Sequence, residues 1–385
     1  MSYTVIQGDA RKTGLPDAFF HCVATSPPYF GLREYGDDDR EIGDEKTPDE
    51  YIEEMRKVGR EVWRVLREDG TWWLNLGDSY AGSWGNQGRK ETRGGQRAVN
   101  APMIQRVGRN AHDVACAMGD DCTCGAREQQ IYQQKVSRTG ACDYGVRAKS
   151  LIMVPHRVAL ALQADGWIVR AMVPWFKMSG MPENVHDRPT VMPECVFLLS
   201  RAPSYFWDAE AVRQPSGRNI RTADMFRAAL DEYELHMAHI RENGGLLLSP
   251  DGDPLVFMVN PSGSSGGHFA TWPPRLVAPM IKASTSERGC CAECGAQWQR
   301  VEAEVFVQRC ECNAGDPVPC RVLDPFAGSG TTMQVCEALG RNSWGVELMA
   351  KNIPIIGERL KERLEPESMK PTRKQQDQNK QFTMW

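Results

Sequence analysis

The chain has 385 residues, of which 41% are hydrophobic, and a formal net charge of −4. This length is enough for one large hydrophobic core or two smaller ones. No stretch approaches the roughly 18 apolar residues of a membrane span, and the first residues lack the apolar core of a signal peptide. We therefore expect a cytoplasmic protein without a membrane partner. Because the overall charge is negative, binding of nucleic acid would require a local patch of basic residues.

The first 80 residues show a strand–helix–strand pattern. Alternation at residues 3–6 and an apolar run at 22–24 predict two strands. Apolar residues spaced three and four apart predict a helix over 49–67, and residues 71–76 form a candidate buried strand. Strand, helix and strand at this spacing favour an α/β layer architecture.

The rest of the chain alternates between patterned and unpatterned segments. Helices are predicted at 154–164, 222–241 and 331–339, and strands at 167–173, 195–199, 254–259, 321–323 and 344–347. The composition divides the chain into a first half-core at 1–80, an insertion at 81–150, further core at 151–285, a cysteine-bearing segment at 286–320, a last half-core at 321–365 and a polar tail at 366–385.

Two short motifs lie near opposite ends of the chain. Thr25-Ser26-Pro27-Pro28-Tyr29 follows a predicted strand, and Asp324-Pro325-Phe326-Ala327-Gly328-Ser329-Gly330-Thr331-Thr332 joins a predicted strand to a predicted helix. A glycine-rich turn in that context lets the backbone approach a ligand, and a helix N-terminus suits a carboxylate. Alone, the first could be an ordinary Pro-Pro turn and the second a dinucleotide-binding or empty turn.

As a pair, the motifs resemble the catalytic and S-adenosyl-L-methionine motifs of DNA amino-methyltransferases, which methylate the exocyclic nitrogen of cytosine or adenine. Their order, catalytic motif first, resembles the beta class of that family. The resemblance implies a Rossmann-like methyltransferase fold of circularly permuted motif order, with a mixed, mainly parallel sheet and helices on both faces. Serine at the first catalytic position is more common in cytosine-N4 enzymes than in adenine-N6 enzymes, so cytosine N4 is favoured.

The resemblance assigns the S-adenosyl-L-methionine contacts to the second motif, at Asp324, Pro325, Phe326, Gly328, Ser329, Gly330 and Thr331. Glu347 ends the next predicted strand about 20 residues later, where a carboxylate can accept ribose hydroxyls. Asp9, in Gly8-Asp9-Ala10, resembles the acidic motif near the adenine end, although Gly-Asp is also an ordinary turn. Phe269 belongs to a segment that resembles a wall of the cofactor site, and the plainer interpretation is a helix entry with proline.

The catalytic motif has the chemistry that amine methylation needs. The lone pair of an exocyclic amine is delocalised into the ring, and oxygens that accept its N–H hydrogens can localise it. Ser26 Oγ and the Pro27 carbonyl could be those acceptors, while Pro27 and Pro28 stiffen the turn. Tyr29 offers a ring face to a base that is flipped out of the duplex.

One segment of the chain is strongly basic, although the net charge of the whole chain is negative. Between residues 88 and 110 there is a single acid, Glu91, against six cations: Arg89, Lys90, Arg93, Arg97, Arg106 and Arg109. Such a segment suits phosphate contacts and readout of base edges in double-stranded DNA. The alternative is a solvated loop without a partner.

Clustered cysteines indicate a metal in a compartment where structural disulfides are rare. Two close pairs flank a strand-like segment, and they predict a structural Zn²⁺ site in a zinc ribbon at 286–320: Cys291, Cys294, Cys310 and Cys312. Cys290 is an alternative ligand, and buried free thiols are the alternative to any metal. A less regular group around 112–142 could form a second site.

Three rival functions remain at this stage. An adenine-N6 enzyme would differ only in its base pocket, and an RNA or protein-glutamine methyltransferase could share a Pro-Pro-Tyr loop. A non-catalytic zinc and DNA-binding protein would leave both motifs without a role. The resemblance also allows a cognate restriction endonuclease as a partner, and a monomeric or homodimeric bacterial or phage-encoded enzyme.

Overall fold

A nine-stranded sheet carries both motifs in the computed structural model. The model describes residues 2–31, 38–81, 146–147, 149–177, 193–212, 246–248, 254–258, 272–362 and 364. The strands are β1 (Tyr3–Gln7), β2 (Phe20–Thr25), β3 (Leu66–Leu76), β4 (Ile168–Phe176), β5 (Pro193–Ser200), β6 (Leu246–Leu248), β7 (Pro254–Met258), β10 (Arg321–Asp324) and β11 (Asn342–Glu347). Their order in the sheet is β1-β11-β10-β2-β3-β5-β4-β7-β6.

Parallel pairing dominates the half of the sheet that contains the motifs. Strands β1, β11, β10, β2 and β3 pair in parallel, so their carboxyl ends meet at one edge. Strand β5 runs antiparallel to both β3 and β4. Strand β2 is fully buried, as expected for a strand covered on both faces. The predicted mixed, mainly parallel sheet of the α/β class is therefore confirmed.

Five described α-helices accompany the sheet: α1 (Pro48–Val65), α2 (Val154–Ala164), α3 (Pro274–Ser284), α4 (Thr331–Ala338) and α5 (Ile353–Lys361). Helix α1 buries Tyr51, Met55, Val58 and Val62, which are the residues whose spacing predicted it. Helix α3 buries Leu276, Val277 and Met280 in the core cluster that also contains Trp73 and Val322. No helix among the described residues is long and apolar enough to cross a bilayer.

Most predicted elements lie within a few residues of the observed ones. The helix predicted at 49–67 ends at Val65 because Leu66 already pairs with Phe20 of β2, so β3 starts five residues earlier than predicted. Helix α5 was not predicted, and α3 was anticipated only by the alternative interpretation of the Phe269 segment as a helix entry; each helix begins next to a proline at its first turn. The helix predicted at 222–241, the tail at 366–385 and nearly all of the insertion at 81–150 lie outside the described residues.

The chain forms two compact units that alternate in sequence. The first consists of Met1–Pro27, Arg56–Leu76 and Ala159–Trp385, and the second of Pro28–Met55 and Gly77–Val158. The first unit includes a small hairpin of β8 (Gln299–Glu302) and β9 (Val305–Val307). In the second unit the Asp78 carboxylate accepts a hydrogen bond from the backbone N–H of Val154, which caps α2.

Candidate active site

The two motifs lie side by side although 299 residues separate Thr25 from Asp324. Strands β2 and β10 are parallel neighbours, so the motifs that follow them emerge at the same edge of the sheet. The Thr25 hydroxyl donates a 2.8 Å hydrogen bond to Asp324 Oδ1. This buried bond links the last residue of β2, directly before Ser26, to the last residue of β10.

The Asp324 side chain makes hydrogen bonds with residues of the second motif. Its side chain is buried and also accepts hydrogen bonds from the Thr332 hydroxyl and the Phe326 N–H. Burial raises the pKa of Asp324 to about 6, against the opposite effect of the Thr332 and Thr25 hydroxyls. The carboxylate therefore fixes the shape of the turn through three donors.

The glycines of the turn hold backbone conformations that other residues rarely adopt. Gly328 has φ +52° and Gly330 has φ +82°. A Cβ on Gly330 would come within 2.9 Å of Ile356 on α5, so the turn also needs glycine for close packing. Helix α4 begins directly after Gly330, and the backbone N–H groups at its start are available to a ligand.

Glu347 and Asp9 flank this turn from β11 and β1. Glu347 Oε2 accepts the Gly328 N–H at 2.8 Å, while Oε1 accepts from the Met349 N–H and the Asn352 amide. Oε1 already accepts two hydrogen bonds, whereas Oε2 accepts one and keeps a further lone pair, which suits a ribose hydroxyl. Asp9 follows β1, the neighbour of β11, and its carboxylate pairs with Arg11 at 2.7 Å.

The start of α4 contains a buried polar atom that could bind a ligand. Among the described residues, the buried Thr331 Oγ1 has no hydrogen-bond partner. Ser329 Oγ accepts a hydrogen bond from Arg359 of α5. Hydroxyls, N–H groups and a carboxylate around one glycine turn fit the amino-acid and ribose parts of the predicted cofactor. The sequence did not indicate Asn352 and Arg359, because they lie outside the motif. They reach Glu347 and Ser329 only in the folded chain.

Ser26 lies at the carboxyl edge of the sheet directly after β2. Its Oγ accepts a 3.2 Å hydrogen bond from the side-chain amide of Asn75 on β3, the next strand. Asn75 is fully buried, Ser26 is partly exposed and Pro27 is buried. Ser26, the predicted acceptor, is thus partly accessible, and its Oγ is hydrogen-bonded to the buried amide of Asn75. Asn75 belongs to no motif that the sequence singled out.

Pro28 and Tyr29 belong to the second unit and are held there by neighbours of their own. The Tyr51 hydroxyl donates a 2.9 Å hydrogen bond to the Pro28 carbonyl. A Cβ on Gly77 would come within 2.6 Å of two carbons of the Tyr29 ring. Gly77 therefore leaves the space that the ring occupies, and any larger residue there would displace it.

The four predicted metal ligands lie together at the β8–β9 hairpin. The Sγ atoms of Cys291, Cys294, Cys310 and Cys312 lie within 4.8 Å of one another. Four thiolates about 2.3 Å from a tetrahedral Zn²⁺ would lie about 3.8 Å apart, so the grouping has a suitable size. The Ala296 N–H and the Gln308 amide donate hydrogen bonds to Cys294 and Cys310 sulfur, as groups around a bound thiolate do.

Cys290 faces a different group. Its sulfur clusters with Cys320 and His21 rather than with the other four thiols. His21 Nδ1 accepts the Arg321 N–H at 3.0 Å, so Nε2 carries the proton and donates to the Gly295 carbonyl at 2.8 Å. Both ring nitrogens are thereby occupied by backbone groups. The histidine consequently attaches the Cys291–Gly295 turn to β2 and β10, which the sequence did not indicate.

Some predicted site residues lie outside the described part of the chain. They are Phe269 and the six cations of the basic segment, Arg89, Lys90, Arg93, Arg97, Arg106 and Arg109. The cysteines and histidine of the 112–142 group are also outside it.

Comparison with known proteins places this geometry in a family. A family model described as DNA methylase, of N6/N4 methyltransferases, matches residues 20–358. Type II methyltransferase M.Cfr9I of Citrobacter freundii is 32% identical over 363 residues, covering 93% of this chain and 87% of that protein. M.XycI of Xanthomonas campestris pv. cyanopsidis is 31% identical over 359 residues, with the same two coverages.

A solved structure shares the fold. PvuII DNA methyltransferase, described as cytosine-N4-specific, superposes with a TM-score of 0.52 at 14% identity, covering 96% of this chain and 90% of its own. The family match spans both motifs and every strand of the sheet except β1. The chain belongs to the DNA methylase family of amino-methyltransferases.

Proposed function

We propose that the protein transfers a methyl group from S-adenosyl-L-methionine to the N4 amino group of a flipped cytosine in a specific DNA sequence. The observation that carries the proposal is the Thr25–Asp324 hydrogen bond, which joins a Ser-Pro-Pro-Tyr motif to a glycine turn with ligand-binding groups. The relatives M.XycI and M.Cfr9I are named type II methyltransferases, which supports a role in site-specific modification.

The residues of the turn would hold the cofactor. Thr331 Oγ1 and the N–H groups at the start of α4 suit the methionine carboxylate, and Glu347 suits the ribose. Asp9 lies just beyond the end of β1, the strand next to β11, and would lie near the adenine. When bound, S-adenosyl-L-methionine supplies an electrophilic methyl group on a sulfonium.

Ser26 and Pro27 would prepare the amine. Oxygens of the Ser26 hydroxyl and Pro27 carbonyl accept the two amino hydrogens, which localises the nitrogen lone pair and directs it at the methyl carbon. The N–C bond forms as the S–C bond breaks, and the sulfur keeps the bonding electrons. The nitrogen then loses one proton to solvent, since it is strongly acidic after methylation, and no strong general base is required.

The preference for cytosine rests on serine at position 26, a tendency within the family. We expect N4-methylcytosine in DNA from a methylation-free host that expresses the protein, measured by enzymatic digestion and mass spectrometry. N6-methyladenine would keep the site chemistry and change the base. If neither base appeared, the proposal for DNA methylation would be wrong.

We further propose that the basic segment at 88–110 binds the DNA backbone. The support is its charge, six cations against one acid, in a chain that is acidic overall. Replacing Arg93 and Arg97 with alanine should weaken DNA binding and reduce the salt dependence of its logarithm by about one counterion per lost phosphate contact. Affinity for S-adenosyl-L-methionine should not change. An unchanged salt slope in binding titrations would remove the segment from the DNA interface.

The four grouped thiols would hold one structural Zn²⁺. The support is their number, their mutual distances and the donors to their sulfur atoms. Four thiolate ligands leave no open coordination position, so such an ion would order the hairpin and take no part in methyl transfer.

A further inference from the structure

A polar chain leads away from Ser26 along the edge of the sheet. Asn75 Nδ2 lies 3.2 Å from Ser26 Oγ and 2.9 Å from Glu194 Oε2. The other oxygen of Glu194 pairs with Lys177 Nζ, which lies 4.6 Å from the centre of the Trp175 ring. These side chains come from or directly follow the neighbouring strands β2, β3, β5 and β4.

The carboxylate decides which way the Asn75 amide faces. An ionised carboxylate can only accept hydrogen bonds, so the NH₂ end of the amide must point at Glu194. The same NH₂ group then donates to Ser26 Oγ. The side chains of Glu194 and Lys177 are 14% and 26% exposed, so their pairing is shielded more than that of a surface ion pair.

A donor on Ser26 Oγ has a consequence for amine binding. The hydroxyl oxygen is an acceptor, and the Asn75 amide donates a hydrogen bond to it. The side-chain torsion of Ser26 is thereby restrained. A base amine that approaches the partly exposed side of Ser26 would meet an acceptor that is already oriented.

We propose that Asn75 is a positioning residue for Ser26, and that the Glu194–Lys177 pair sets the orientation of its amide. This inference rests on the proposed role of Ser26 in methyl transfer. None of the three residues needs to touch the cofactor or the base. Their effect should therefore fall on the rate of methyl transfer and leave the binding of S-adenosyl-L-methionine unchanged.

A double-mutant cycle tests the inference. Single-turnover methylation would be measured with radiolabelled S-adenosyl-L-methionine and genomic DNA from a methylation-free host. Asn75→Leu should slow the step about tenfold, the loss expected for one hydrogen bond in the reacting complex. In a Ser26→Ala background, Asn75→Leu should cause no further loss, because the hydroxyl that it positions is absent. Equal losses in both backgrounds would mean a general structural role and overturn the inference.

Two variants guard against simple misfolding. Glu194→Gln keeps the size of the side chain and can keep a hydrogen bond to Asn75, but a glutamine amide both donates and accepts, so it no longer fixes which end of the Asn75 amide faces it. Its melting temperature should be close to that of the wild type, and its rate should lie between those of the wild type and Asn75→Leu. A wild-type rate in this variant would overturn the role of the Glu194–Lys177 pair. Thr71→Val, a buried change of similar size on the same strand, is the matched control and should leave the rate unchanged.

The outcomes also separate this inference from the proposed function. If Ser26→Ala alone leaves methylation intact, the catalytic assignment of Ser26 is wrong, and the inference falls with it. If Ser26→Ala abolishes methylation while Asn75→Leu does not slow it, only the positioning role is wrong. Calorimetric affinity for S-adenosyl-L-methionine, measured on every variant, should stay at the wild-type value.

Discussion

Ser26→Ala is expected to lower the rate of methyl transfer by about 10²–10³-fold, the usual effect of removing one hydrogen-bonding group that acts on the transition state. The hydroxyl is lost from the edge of the sheet where β2 ends, next to the cofactor turn but not in it. Affinity for S-adenosyl-L-methionine should therefore stay unchanged in calorimetry. Initial rates at saturating cofactor and DNA measure the effect.

Ser26→Thr provides the control, because it keeps a hydroxyl acceptor and adds one methyl group at a partly exposed position. Its rate should lie between those of the wild type and Ser26→Ala. Should Ser26→Ala lose cofactor affinity and rate together, Ser26 would belong to the cofactor site, and the Pro27 carbonyl would remain as the acceptor for the amine. Full activity of Ser26→Ala would refute the proposed mechanism.

The architecture could be predicted from local patterns because its core elements are strongly periodic. Buried strands such as β2 read as apolar runs, and α1 shows its buried face in the spacing of Tyr51, Met55 and Val58. The order of the two motifs along the chain then matched one class of the family. A parallel sheet aligns the carboxyl ends of distant strands, which is why the motifs lie together. The fold class followed from these two sources together.

Supporting residues of the site were beyond sequence reasoning for a physical reason. Asn75, Arg359 and Gly77 lie outside both motifs and act by packing or hydrogen bonding across the fold. An asparagine in an apolar strand pattern, such as Asn75 in β3, is the one signal that could have been used. A buried amide requires partners, and its partners here are Ser26 and Glu194.

The thiol group shows a similar limit. Spacing alone identified the four cysteines, but it could not separate Cys290 from them, because adjacent residues have nearly the same position in sequence. In the fold, Cys290 turns towards His21 and Cys320 and away from the other thiols. The direction of a side chain depends on the backbone conformation of the turn, and the spacing of the cysteines does not reveal that conformation.

Removing the proposed zinc is expected to have the second large effect. Replacing Cys291 and Cys294 with serine should remove about one metal equivalent per chain in elemental analysis, relative to the wild type. Metal ligation contributes directly to folding, by about 10–16 kcal/mol in isolated zinc-finger peptides. The effect on the whole chain should be smaller, since the hairpin is also attached to the core by hydrogen bonds.

Those attachments explain why the loss should reach the methyltransferase core. The turn between the first two thiols is held by Arg67, which donates to the Cys294 carbonyl, and by His21, which donates to the Gly295 carbonyl. His21 lies in β2, five residues before Ser26. Release of the turn should cost these hydrogen bonds and lower the melting temperature by about 5 °C. Cys195→Ser, on β5 and outside the thiol group, should retain both metal and melting temperature. If the variant with serine at positions 291 and 294 had the metal content and the melting temperature of the wild type, the four cysteines would be merely neighbouring thiols.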